Sequence, residues 1–170
     1  MKIGFIGLGN VGGKLAGSLL RNKFDLTVRD LKENIKSDFI NKGAKTANNA
    51  KELAEQVDLI ITCLPSPKIC SEVMEAKDGV INGLSKNKIW LEMSTTDEKE
   101  MIRLSKLIES KGANVLEAPV TGGQHRAESG NIGVFVAGKR ENFKRAFPIL
   151  SEIGFEVLYC GKLGNASTLK

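Results

Sequence analysis

GFIGLGNVGGKLAGSLL, residues 4–20, sets three glycines, Gly7, Gly9 and Gly12, in a G-x-G-x-x-G spacing between an apolar run and an amphipathic one. The apolar side, KIGFIG, reads as a fully buried strand. On the other side Leu15, Leu19 and Leu20 recur at helical spacing, so GGKLAGSLLRN reads as a helix. Between a strand and a helix the three glycines have separate tasks. Gly7 permits the tight turn, Gly9 lets the backbone approach a pyrophosphate, and Gly12 lets helix and strand pack closely. The helix N-terminus adds unpaired N–H groups and the positive end of its dipole. A glycine-rich turn without a ligand is the plainer alternative, but the strand–turn–helix context speaks against it. Gly7, Leu8, Gly9, Asn10, Val11 and Gly12 form the first candidate cofactor-binding set.

Outward from this stretch, strand-type and helix-type runs alternate. DLTVRD, VDLIITCLP, KIWLEMS, ANVLEAPV, IGVFVAG and FEVLYCG read as strands, and AKTA as a short one. LKENIKSDFINKG, NNAKELAEQ, SPKICSEVMEA, TDEKEMIRLSKLIESKG and RENFKRAFPILSEIG read as helices. Asn48 or Asn49 caps the second of these, Ser66 with Pro67 opens the third, and Pro148 marks a bend or break in the last. NASTLK looks like the start of another helix. Such alternation predicts an α/β fold of the Rossmann type, a doubly wound, mostly parallel sheet with helices on both faces. A sheet of this kind binds ligands at the carboxyl ends of its strands.

Each predicted strand end carries candidates. Asp30 ends the second strand and is placed to accept hydrogen bonds from a ribose 2′-OH and to repel a 2′-phosphate. It also fits as a helix cap for LKENI. Arg29 beside it is a possible partner for a 2′-phosphate, but neighbouring strand residues point to opposite faces. Leu64 and Pro65 in LPSP suit either cofactor contact or simple turn chemistry. In MSTTD, residues 93–97, one polar group must cap the next helix, which leaves Ser94 and Thr95 to face a nicotinamide or substrate. In EAPVTGGQHRAESGN, residues 117–131, Thr121, Gly122 and Gly123 form a flexible turn able to aim N–H groups at a carboxylate. His125 is the only histidine and has no ligand cluster around it, so a surface role is expected and no metal site.

Composition bounds the rest. The chain has 170 residues, enough for one domain or one domain and part of another. Three cysteines without C-x-x-C pairing exclude a disulfide framework and a structural zinc site, and point to a reducing cytoplasm. The net charge of +5 comes from scattered lysines, and aromatic residues are only 5%, which does not support nucleic-acid binding. No apolar run approaches the ~18 residues of a membrane span.

GFIGLGNVGGKLAGSLL, LPS, EMSTTD, EAPVTGGQHRAESGN and GKLGNASTLK occur in the order found in β-hydroxyacid dehydrogenases, and the chain resembles that family from Met1 to Lys170. The resemblance implies an NAD-dependent oxidoreductase that transfers hydride between a 3-hydroxy acid, such as 3-hydroxyisobutyrate, and the nicotinamide. It implies an NAD-binding domain over residues 1–160, with residues 161–170 opening the helix that leads to an all-helical domain. Gly161, Gly164 and Ala166 match the family's glycine pattern before the active-site lysine, and Lys170 matches the lysine itself. By the same resemblance Thr121, where the family usually has serine, holds the substrate with Gly122 and Gly123, and Lys170 handles the proton. Leu31 stands where NADP-using members often have arginine, so NAD is expected rather than NADP. The chain is then expected to be the cofactor-binding half, to lack activity alone, to belong to a homo-oligomer, and to carry Lys170 with a pKa raised by the adjacent terminal carboxylate. The alternative is a non-catalytic dinucleotide-binding or interaction module on the same fold.

Overall fold

The computed structural model describes residues 1–170. In chain order the elements are β1 (Lys2–Ile6), α1 (Gly12–Arg21), β2 (Asp25–Arg29), α2 (Glu33–Asn41), β3 (Lys45–Thr46), α3 (Ala50–Gln56), β4 (Leu59–Thr62) and α4 (Pro67–Glu75). A 3-10 turn at Val80–Gly83 precedes β5 (Ile89–Glu92), α5 (Glu98–Glu109), β6 (Asn114–Glu117), β7 (Val120–Thr121), α6 (Gly123–Glu128), β8 (Ile132–Gly138), α7 (Arg140–Ile153), β9 (Gly154–Tyr159) and α8 (Asn165–Leu169). The sheet runs β3-β2-β1-β4-β5-β6-β8-β7, with β9 on the other edge of β8. The first six strands are parallel, and β8 runs antiparallel to β6.

The alternating faces of these apolar strands build two cores. On one face Ile3, Phe5, Leu59, Ile61, Ile89 and Leu91 pack with Leu15 and Leu19 of α1 and Ile149 of α7. On the other, Ile60, Trp90 and Val115 pack with Leu53 of α3, Met74 of α4 and Leu104 of α5. Helices on both faces of a mostly parallel sheet are the predicted architecture. Local chemistry sets the helix starts. Asn49, not Asn48, caps α3 by accepting from Glu52 N at 2.8 Å, and Ser66 caps α4 by accepting from Ile69 N at 3.2 Å. Asp97, rather than a hydroxyl of MSTTD, caps α5 through Glu100 N at 2.8 Å.

Three features depart from the sequence-based expectation. The stretch 117–131 holds a short strand, β7, and a short helix, α6, instead of a simple turn. Pro148 lies inside a continuous α7. Both Pro148 and Lys144, whose carbonyl its missing N–H leaves without the usual partner, are exposed residues. Asp30 does not cap α2, whose N-cap is Lys32.

Candidate functional site

The strand order reverses between β1 and β4, and a cleft of about 990 Å³ opens at their carboxyl ends. Gly7 sits at φ +96°, and an added Cβ would lie 2.3 Å from the Cys63 carbonyl oxygen, so the turn out of β1 demands glycine. A Cβ on Gly12 would lie 2.1 Å from the Gly7 carbonyl oxygen, which leaves α1 pressed onto the end of β1. A Cβ added at Gly9, by contrast, would meet nothing within 4 Å. The N–H groups of Gly9, Asn10, Val11 and Gly12 have no acceptor within the chain, and all four residues line the cleft. Leu8 differs from them. Its side chain is buried in the core, and its N–H goes to Asp30 Oδ2 at 2.7 Å.

Asp30 is thus tied to the glycine loop, and its other oxygen accepts from Lys32 N at 2.9 Å. The carboxylate still lines the cleft. Arg29 lines it too, against the expectation that strand alternation turns it away, because β2 ends at this residue and alternation ends with it. Its Nη1 donates to the Asn48 carbonyl at 2.8 Å. Leu31, 90% exposed, lines the same cleft with Ile69 and Val73 of α4. Of these three apolar groups the sequence drew attention only to Leu31, as the position where an arginine would favour NADP; Ile69 and Val73 were not singled out.

Leu64 and Pro65 line the cleft, and Leu64 N donates to Ser94 Oγ at 2.7 Å. Ser94 N in turn donates to Glu92 Oε1 at 2.5 Å. Glu92 is fully buried, and its Oε2 accepts from Thr62 Oγ1 at 2.9 Å and from Cys70 Sγ at 2.6 Å. Burial pushes the Glu92 carboxyl above the usual carboxylate range and the Cys63 thiol up to about 12. Thr62, Glu92 and Glu117 are in register on β4, β5 and β6, so three buried polar side chains cross the sheet beneath the cleft. Neither glutamate was singled out from the sequence. The available signal was a charge closing an otherwise apolar strand, in IWLE and in NVLE.

Thr121, Gly122 and Gly123 line the cleft, and the Gly122 and Gly123 N–H groups have no acceptor within the chain. Lys170 reaches the same cleft and donates from Nζ to Thr95 Oγ1 at 2.6 Å. Partial burial lowers the Lys170 ammonium below the usual lysine range, opposed by the nearby Cys63 sulfur. The rise expected from the terminal carboxylate is not found; burial of the ammonium sets the opposite direction.

A glycine loop at the switch point, an acid at the end of the next strand and a cleft between them define a dinucleotide-binding domain. The open space at Gly9, faced by unpaired N–H groups, fits a pyrophosphate. The chain belongs to the family described as the NAD binding domain of 6-phosphogluconate dehydrogenase, whose model matches residues 2–161. It is 34% identical to mitochondrial 3-hydroxyisobutyrate dehydrogenase of Mus musculus over 168 residues, which is 99% of this chain and 50% of that protein. The chain spans about half the length of the curated relatives it matches. Among solved structures it superposes on Psf3 in complex with NADP+ and 2-OPP at a TM-score of 0.94 and 26% identity, covering 98% of this chain and 59% of that one. A 3-hydroxyisobutyrate dehydrogenase from Salmonella typhimurium gives a TM-score of 0.92 at 26% identity, covering 99% and 59%. The resemblance to β-hydroxyacid dehydrogenases, an oxidoreductase family, stands. No helix is long and apolar enough to cross a membrane.

Proposed function

We propose that residues 1–160 bind NAD(H), and that residues 161–170 bring the proton-handling lysine, in an enzyme that interconverts a 3-hydroxy carboxylic acid such as 3-hydroxyisobutyrate and its carbonyl form. The observation that carries this reading is Lys170 Nζ, set 2.6 Å from Thr95 in the cleft shared by the glycine loop and Thr121. The chemistry a bound nicotinamide dinucleotide supplies is acceptance or return of a hydride. The chain's own residues do the rest. Gly9, Asn10, Val11 and Gly12 offer N–H groups to the phosphates, and Leu31, Ile69 and Val73 offer apolar contact to the base. The Thr121 hydroxyl with Gly122 N–H and Gly123 N–H holds the substrate carboxylate. Lys170 takes the hydroxyl proton in oxidation and returns it in reduction, aided by the burial that lowers its pKa.

Asp30 supports NAD over NADP, since a carboxylate at the end of the second strand suits a ribose 2′-OH and would repel a 2′-phosphate. Arg29 and Lys32 line the same cleft and favour the second reading, NADP. Three unpaired thiols support a reducing compartment, for which we propose the cytoplasm. Exposed Phe155, Leu158 and Leu169 support self-association. Calorimetric titration tests the cofactor assignment: NADH should bind at least about tenfold more tightly than NADPH. Tighter NADPH binding assigns the rim to Arg29 and Lys32. In the enzyme, Lys170→Ala should lower turnover by roughly 10²–10⁴-fold with little change in cofactor affinity. Near-normal turnover removes Lys170 from proton transfer.

A further inference from the structure

Glu117 closes β6 and is fully buried. Its Oε1 accepts from Gly164 N at 2.5 Å and from Ala166 N at 3.0 Å. Its Oε2 accepts from Ser167 N at 3.3 Å and from Ser167 Oγ at 2.5 Å. All four donors belong to the segment that enters and forms α8. That helix has five residues and no side-chain cap of its own, a length that does not persist in water without outside support. The other supports include Asn165 Nδ2, which donates to the Cys160 carbonyl at 2.7 Å, and Leu163, packed against the core. Ala166 is fully buried, and Gly164, at φ +99°, is pressed against Glu98 so closely that an added Cβ would lie 2.8 Å from its Cγ. One turn further on, Lys170 N donates to the Ala166 carbonyl at 3.2 Å. The position of Lys170 is therefore inherited from the residues Glu117 holds.

We propose that Glu117 is the positioning residue of this cleft: its carboxylate docks α8 on the end of β6 and so holds the Lys170 ammonium against Thr95. The inference rests on the reading of Lys170 given above. It adds a link between the two halves of the substrate site. Glu117 is followed directly by Ala118 and Pro119 and then by Val120–Gly123, so one strand end anchors both the lysine and the Thr121–Gly123 loop. A burial-only role for Glu117 would leave the environment of Lys170 unchanged in any variant that folds.

The test is competitive acylation of the lysines of the chain across pH, read by mass spectrometry, on the unaltered protein and on Glu117→Gln and Ser167→Ala. Each lysine yields its own midpoint, and exposed Lys23 and Lys68 serve as internal references. In the unaltered protein Lys170 should titrate below both references. Glu117→Gln puts an amide donor where an N–H or O–H donor already points, so the Lys170 midpoint should rise toward the references while theirs stay fixed. Ser167→Ala removes one of the four donors and should give a smaller rise. If Glu117→Gln does not fold, the Ser167→Ala midpoint decides. An unchanged Lys170 midpoint in the folded variants overturns the inference. If the midpoint rises but Lys170→Ala leaves turnover intact, Glu117 positions the lysine and the catalytic reading fails. If turnover needs Lys170 but its midpoint ignores Glu117, the catalytic reading stands and the positioning role fails.

Discussion

Replacing Gly9 with alanine adds one methyl group where no other atom lies within 4 Å. Gly9 is absent from the positive-φ glycines, so alanine fits its backbone. Folding should be unharmed, or favoured by about 0.4–1 kcal/mol through the stiffer unfolded chain. Ligand binding should suffer, because the methyl projects into the space that the phosphates need. Losing one charge-assisted N–H contact costs about 1.5–3 kcal/mol, roughly a ten- to hundredfold rise in Kd. Gly12→Ala is the control with the opposite signature. Its Cβ meets the Gly7 carbonyl oxygen at 2.1 Å and Cys63 Cβ at 3.2 Å, so α1 must move off β1. Overpacking of this kind costs about 1–3 kcal/mol, each kcal/mol lowering the melting point by roughly 2–4 °C in a chain of this size. Thermal melts without ligand and calorimetric titration with NADH measure the two effects separately. Wild-type NADH affinity in a fully folded Gly9→Ala protein would refute the placement of the phosphates against this loop.

The lowered Lys170 pKa sets the direction of a pH profile in the enzyme. Oxidation needs the free amine, so kcat/KM should rise with pH through a midpoint below the ordinary lysine value of about 10.4, and the reductive direction should fall through the same midpoint; parallel profiles in the two directions would contradict the assignment. Arg103 joins Glu75 on α4 to Glu100 on α5 and holds the Glu100 carboxyl down to about 2. Arg103→Ala should cost about 1 kcal/mol at neutral pH, and thermal melts should show the deficit shrinking as pH falls from the ordinary carboxylate value of about 4.3 toward about 2, because a depressed carboxyl loses its stabilising contribution in that window.

Residues whose task is local were legible in the sequence. The glycine loop announces itself because strand, turn and helix are contiguous, and Ser66 with Pro67 opens α4 by contacts within four residues. The cleft at the strand ends was therefore predictable, and Gly7, Gly9, Gly12 and Thr121 line it. Residues whose task is set by a distant partner were not. Glu117 looks like any strand-closing acid until α8 comes back to meet it, and Glu92 acquires meaning only from Thr62, Cys70 and Ser94. Helix α6 was hidden because GGQHRAE carries one buried residue, Ala127, too few to show a helical period. The reversal of β8 was hidden because strand direction depends on that same short excursion. Leu8 has a conspicuous place in the motif, yet its side chain packs in the core and its N–H meets Asp30.

The position of β1 at the centre of the sheet bears on how the molecule comes into being. Its Ile3 pairs with Leu26 on one side and Leu59 on the other, so β1, made before either neighbour, must wait for both to be synthesised. The Gly7 turn closes against Cys63, and Leu8 waits for Asp30. Non-local pairings of this kind fold slowly, since the entropy of closing each loop is lost before its contacts form. A nascent chain that has emerged only as far as α3 has no β4 to cover one edge of β1, and it exposes Ile3 and Phe5 to whatever else is in solution. Its yield in a cell should then depend on how well that half-built sheet is shielded until β4 arrives, and not on the finished domain alone.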